Sequence, residues 1–133
     1  MSEFITGQFS TGAVPVLEKA LAFYEARNAV LARNVANAST PNYRPSDLDE
    51  GAFQASLRKA VAARAASHPR EFRMEEGFRE VPVREGQVRH DGNSVNMERE
   101  QVRLADNTIA FERAAQMLAS SFRVLEIAIR GRA

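Results

Sequence analysis

At 133 residues and a net charge of +1, the chain has room for one small domain with a modest core. Acids and bases divide evenly, three of each in residues 1–43 and nine of each in residues 44–95, so no basic patch exists to neutralise nucleic-acid phosphates. The absence of cysteine excludes disulfides and thiolate metal sites, and without a run of about 18 apolar residues no membrane-spanning helix is expected.

Residues 1–12 are small and polar, with Phe4, Ile5 and Phe9 interspersed, and Gly7 and Gly12 disfavour a stable helix. They read either as a frayed terminus or as a segment that docks through its phenylalanines. They lack the basic start and apolar core of a secretory signal, so no cleavable leader is expected. Residues 13–38 form the first expected helix, rich in Ala, Leu, Glu, Lys and Arg and roughly 39 Å long. Val14, Leu17, Leu21, Tyr24, Asn28, Leu31, Val35 and Ala38 follow steps of three and four, which sets one stripe along one face. Asn28 interrupts it. Either Asn28 is buried with a partner and fixes register between helices, or the stripe is open to solvent there.

Pro41 lacks an amide donor and drives Thr40 out of the α region, so the helix should end near Ala38–Ser39. Pro41-Asn42 suits the two central positions of a β-turn. Proline presets φ at the first, and asparagine tolerates left-handed φ at the second. Tyr43 follows, placed to fold back on the helix end.

The run Leu31-Ala32-Arg33-Asn34-Val35-Ala36-Asn37-Ala38-Ser39-Thr40-Pro41-Asn42-Tyr43 resembles the N-terminal signature of bacterial flagellar rod and hook proteins. That signature is roughly Ala-Asn-Asn-Ile/Leu-Ala-Asn-x-x-Thr-Pro-Gly-Tyr. Asn34, Ala36, Asn37, Thr40, Pro41, Asn42 and Tyr43 occupy motif positions, with Arg33 in place of the first asparagine and Asn42 in place of the usual glycine. The following Asp47-Leu48-Asp49 and the short chain resemble proximal rod proteins in particular. The likeness covers residues 17–49 and, less closely, 91–130. It implies N- and C-terminal helices packed together as an inner tube. It also implies a structural role, transmitting torque and lining the export channel. The implied partners are copies of the chain, other rod proteins, the rod-base adaptor, the membrane ring and the export gate. The implied location is the basal-body rod in the periplasmic space, reached through the flagellar type III apparatus without cleavage of a leader.

Residues 44–95 are the least regular. Phe53, Leu57, Ala60, Val61 and Arg64 predict a short amphipathic helix over 51–66, closed by His68-Pro69. Val81-Pro82-Val83-Arg84 and Gln87-Val88-Arg89-His90, either side of Glu85-Gly86, suggest a short hairpin, with Pro82 confining its strand to an edge. The even charge density across 67–90 reads as mobile and solvated.

Asp91-Gly92-Asn93-Ser94 is a turn cluster. Asn96 then suits an N-cap, with Glu98 and Glu100 in the first turn, where the helix dipole favours anions. From there Met97, Gln101, Leu104, Thr108, Phe111, Ala115, Leu118, Phe122, Leu125 and Ile129 recur in steps of four and three. Such a heptad pattern favours a coiled-coil seam on a helix over about 97–130, roughly 50 Å long and ended by Gly131. Ile127 and Ala128 widen the stripe, so this end should touch more than one neighbour.

Catalytic patterns are lacking. His68 and His90 lie in polar loop sequence without a ligand partner at metal spacing. No phosphate-cradling, nucleophile-elbow or zinc-protease motif occurs. Asp47, Asp49 and Glu50 lack the oxygen spacing of a calcium loop and read as a solvated turn. The expectation is therefore an all-α chain with a single rod-subunit domain over 1–133 and a polar, variable middle over about 44–95. No enzyme, cofactor, metal or nucleic-acid role is expected. The expected subunit interface is Leu17, Leu21, Tyr24, Asn28, Leu31 and Val35 on the first helix, with Leu104, Phe111, Leu118, Phe122, Leu125 and Ile129 on the last. The competing reading is a small soluble helical binding module, such as an export chaperone or regulator, folded as a discrete monomer or dimer. A rod subunit should instead be partly disordered over 1–40 and 97–133 until neighbours cover its apolar faces.

Overall fold

A computed structural model describes residues 12–66, 72–75, 77–83 and 95–131. The fold is mostly helical, with long N- and C-terminal helices. In chain order the elements are α1 (Val14–Ala36), β1 (Ser46–Leu48), α2 (Glu50–Ala66), β2 (Glu80–Pro82) and α3 (Met97–Arg130). The three helices fall within two residues of the expected boundaries. Asn96 caps α3 by accepting from the Arg99 amide at 3.2 Å, and Asp49 caps α2 by accepting from the Ala52 amide at 2.9 Å, each satisfying an otherwise orphaned donor. Pro15 sits in the first turn of α1, where a missing amide hydrogen costs little.

Helix α1 stops at Ala36 rather than Ala38 because Asn37 captures its last carbonyls. The Asn37 backbone amide and side-chain Nδ2 both donate to Arg33 O, at 3.1 and 2.8 Å. The chain then turns through Thr40–Tyr43, closed by the Tyr43 amide on Thr40 O at 3.3 Å. Asn42 has φ of 61°, the left-handed value that position requires.

α1 and α3 pack antiparallel. Asn34, near the end of α1, meets Glu100 at the start of α3, and Tyr24, further back on α1, meets Asn107. α3 has 34 residues against 23 for α1. Since the pairing begins level at one end, the excess, about 16 Å at 1.5 Å per residue, stands beyond the start of α1.

The main apolar cluster does not lie on the expected stripe. Phe23 and Val30, on a face of α1 about a third of a turn away, join Leu48 and Phe53, with Tyr24, Ala26, Leu57, Met74 and Phe78 packed around them. Phe23 and Phe53 stack with centroids 4.2 Å apart, and Phe78 meets both edge-on at 5.4 and 5.7 Å. Phe78 and Met74 belong to the stretch expected to be solvated. There, isolated apolar residues among charges supply the lid of this cluster. Arg64, at the end of α2, donates to Gly12 O at 2.7 Å and so ties α2 to the entry of α1.

The strand around Val81 forms, and among the described residues it is paired by β1. β2 pairs antiparallel with β1 in the register Ser46↔Pro82, Asp47↔Val81 and Leu48↔Glu80. Residues 87–90, His68, His90 and the turn cluster at 91–94 lie outside the described residues, as do Phe4, Ile5 and Phe9.

Candidate functional site

The family-like turn is built around one side chain. Asn34 is fully buried and uses all four of its hydrogen-bonding positions. Its Nδ2 donates to Ser46 O at 2.7 Å and to Glu100 Oε2 at 2.9 Å. Its Oδ1 accepts from Tyr43 Oη at 3.0 Å and from the Ser46 amide at 3.2 Å. The fold-back of Tyr43 expected from the sequence thus ends on Asn34. One amide joins α1, the turn, β1 and α3. Glu100, 2% exposed, is completed by Arg103 Nη1 donating to Oε1 at 2.6 Å. A buried carboxylate with donors on both oxygens is tolerated where an unpaired one is not.

A second tie lies beside it. Arg27 grips Asp47 with two parallel bonds, both 2.9 Å, and reaches Glu50 at 3.1 Å. The hydrogen bonds to Asp47 hold the Arg27 guanidinium above its ordinary pKa. The acidic cluster at 47–50 is therefore not a solvated turn. Asp47 clamps α1, Glu50 supports the clamp, and Asp49 caps α2. On the surface, Arg33 donates to Ser46 Oγ at 3.0 Å and pairs with Glu80. Arg33 is raised above its ordinary pKa, through Tyr43 first and Glu80 next. Glu80 is lowered, chiefly by the Ser46 hydroxyl and then by Arg33. The arginine that departs from the family signature thus staples α1 to both strands.

Along α3 the seam is half the one expected. Leu104, Leu118 and Leu125 turn inward as read from the sequence, and Phe111 continues their row at the rim, 38% exposed. The companion row is Glu100, Asn107, Ala114 and Ser121 rather than Gln101, Thr108, Ala115 and Phe122. Glu100, Asn107 and Ala114 are buried, whereas Gln101, Thr108 and Phe122 are exposed. Thr108 instead turns its hydroxyl back to Leu104 O at 2.9 Å. Asn107 Nδ2 donates to Tyr24 O at 2.8 Å, and its Oδ1 is buried without a hydrogen-bond partner.

The expected interface residues divide three ways. Leu17, Leu31 and Leu125 are buried within the chain, and Leu21, Tyr24, Val35, Leu104 and Leu118 are half-buried. Asn28, Phe111, Phe122 and Ile129 are exposed, which settles Asn28 as an open point of the stripe. Of the motif positions, Asn34 is buried, Asn37 and Tyr43 half-buried, and Ala36, Thr40, Pro41 and Asn42 exposed. Arg27, Glu100 and Asn107 escape sequence reasoning because a search for apolar stripes discounts polar residues on helix faces. Their signal is position, a heptad apart for Glu100 and Asn107.

Beyond the antiparallel pairing, α3 carries large apolar side chains on three sides, and the fourth holds Arg123, Glu126 and Arg130, with Arg130 paired to Glu126 at 2.7 Å. At about 100° per residue, Ile127 projects opposite Leu118 and Leu125, while Met117 and Val124 point to a flank. Val124 and Ile127 are 63% and 64% exposed. Among the described residues no cluster of His, Cys, Asp or Glu could hold a metal ion, and no helix is long and apolar enough to cross a membrane.

No family model matches the sequence. Curated relatives do. The flagellar basal body rod protein FlgB of Cereibacter sphaeroides is 35% identical over 119 residues, covering 85% of this chain and 90% of the relative. FlgB of Aquifex aeolicus is 32% identical, with 90% of this chain and 94% of the relative covered. FlgB of Proteus mirabilis is 31% identical over 71% of this chain and 77% of its own length.

Proposed function

The chain belongs to the FlgB family of flagellar basal body rod proteins, and from that membership we propose that it is a structural, non-catalytic subunit of the proximal rod. The observation that supports this most directly is the distal part of α3. A helix with large apolar side chains on more than one face needs more than one packing partner, and here Met117, Val124, Ile127 and Ile129 stay exposed in the single chain. These residues, with Phe111, are the contacts left for neighbouring subunits. The half-buried stripe of Leu21, Tyr24, Val35, Leu104 and Leu118 continues the same interface towards the chain's own helix pair.

In this reading the packed terminal helices carry torque and line the export channel, since side-by-side helices resist shear through interdigitated side chains. Partners are further copies and other rod proteins, with the rod-base adaptor, the membrane ring and the export gate at the ends. The whole chain acts as one rod-subunit domain in the periplasmic span of the basal body. It arrives through the flagellar export apparatus without losing a leader.

The test is Ile127→Asp, expressed in a strain lacking the native protein. Helix content should be unchanged because Ile127 is exposed, while basal bodies should stop short of a complete rod. Complete rods, together with a discrete monomer or dimer at every concentration in light scattering, would overturn the proposal in favour of a soluble binding module.

A further inference from the structure

A seam of repeated apolar residues holds two helices together without saying how far one is slid along the other. Leu104, Phe111, Leu118 and Leu125 recur every seven residues, so moving α3 by one heptad past α1 sets similar side chains in similar places. Hydrophobic contact is non-directional and separates such arrangements poorly. The companion row is different at every step: Glu100, Asn107, Ala114, Ser121. Its two buried polar members each have a specific acceptor or donor on α1. Glu100 accepts from Asn34, and Asn107 donates to Tyr24 O.

We infer that these two polar contacts form a register lock that selects one axial setting of α1 against α3. A slip of α3 by one heptad in one direction sets Asn107 opposite Asn34. It also parts Glu100 from the amide that pairs with it and leaves that carboxylate with Arg103 alone. A slip in the other direction carries Asn107 away from Tyr24 O and leaves its amide buried without a partner. Either slip keeps the leucine row packed, so the polar contacts alone discriminate. The unpaired Asn107 Oδ1 points the same way. A residue chosen for stability would not leave an acceptor orphaned in the seam, whereas one chosen to make wrong registers worse can bear that cost. Asn34 extends the selection to the turn. The amide that holds Glu100 also holds Tyr43 and Ser46, so the correct register and the closed turn form together. The lock lies within one chain and does not depend on what the distal part of α3 docks against.

The cysteine-free sequence makes the register measurable. Ala32→Cys on α1 and Gln116→Cys on α3, both exposed positions, carry spin labels in full-length protein diluted with unlabelled chain. Their axial separation changes by about 10 Å when α3 slides one heptad. The native sequence should give a single narrow distance. Asn34→Leu with Glu100→Leu and Asn107→Leu should stay helical and give two or more distances. Glu100→Leu with Asn107→Glu moves the carboxylate one heptad along and should shift the distance by about 10 Å. A broad distribution in the native sequence, or the native distance in either variant, overturns the lock. Loss of helix in both variants overturns it as well, because the polar contacts would then supply stability rather than choose between registers.

Discussion

The two ends of α3 are built on opposite principles. From Met97 to Ala114 a polar and small row, Glu100, Asn107 and Ala114, lines the seam beside Leu104 and Phe111, and Glu100 and Asn107 are each matched to a named atom on α1. From Met117 to Ile129 it has no polar contact to α1 among the described residues, and Met117, Val124 and Ile127 spread apolar surface over two further sides, away from the charged face of Arg123 and Glu126. Directional bonds fix one arrangement, and apolar surface adapts to several. The near end therefore defines the subunit, and the far end is suited to contacts outside it. The largest expected effect breaks the far end alone. Val124→Asp or Ile127→Asp should abolish motility and rod assembly with no loss of helix, since a carboxylate buried among apolar neighbours is prohibitive. Arg113→Ala, equally exposed, should leave swimming unchanged. Leu118→Asp, half-buried at the boundary, should lower both helix content and assembly. Equal motility for Ile127→Asp and Arg113→Ala erases the contrast between the ends.

Next in size is damage to the near end. Asn34→Leu removes four hydrogen bonds and leaves Glu100 with Arg103 alone. A loss of about 3 kcal/mol is expected in urea unfolding. Asn28→Leu, on the exposed part of the stripe, should change stability by less than ~0.5 kcal/mol. Similar losses for the two asparagines would remove the distinction between them. Hydrogen exchange on dilute protein sharpens the comparison without mutation. Amides over 97–114 should exchange more slowly than those over 117–130, and the difference should vanish on assembly. Uniform protection along α3 in a monomer would deny the far end its dependence on neighbours.

Apolar periodicity and turn chemistry are legible in the chain; polar contacts between distant segments are not. All three helices, the Asn96 cap and the Pro41-Asn42 turn follow from local rules, because each depends on residues within one or two turns of the chain. The leucine row of α3 is legible for the same reason. Its companion row is misplaced by one residue, since ranking by hydrophobicity prefers Phe122 and Ile129 to Glu100 and Asn107. Only the positions of Asn34 and Tyr24 make those two polar residues interior. Phe23 and Val30 are missed because a helix with two buried faces does not show one stripe, and Phe78 because a lone aromatic among charges carries no period. The pairing of β2 with β1, across the whole of α2 and the segment after it, is likewise a tertiary choice.

The turn offers a smaller effect that tests local rules alone. Asn42 holds φ at 61°, where glycine has no steric penalty and a β-branched residue is strained. Asn42→Gly should be neutral or slightly stabilising, whereas Asn42→Val should cost about 1–3 kcal/mol and slow swimming. Indistinguishable unfolding midpoints for the two variants would detach the turn from the stability of the near end.

The smallest effect lies at the surface staple, and its sign follows from the direction of the Glu80 shift. The Ser46 hydroxyl and Arg33 hold the Glu80 carboxyl below its ordinary 4.5. The folded state therefore resists protonation there more than the unfolded chain does. The stabilisation is fully present above the unfolded value and is lost as pH falls through the lower, folded one. Arg33 and Glu80 side chains are 49% and 42% exposed, so solvent and salt screen the pair, and a contribution within ~0.2–1 kcal/mol is appropriate. Glu80→Gln should weaken the exchange protection of the strand pair slightly at pH 7 and leave it unchanged near pH 3. Raising the salt to about 0.5 M should shrink even the neutral-pH difference, because screening lengths fall to a few ångströms. The readout must be local, through exchange of the Asp49 and Val83 amides that flank the strand pair, since the near end of α3 is held by Asn34 and Asn107 and should not respond. A difference between the native protein and the Glu80→Gln variant that grows toward acid pH would reverse the sign and remove the staple from the set of contacts that define the near end.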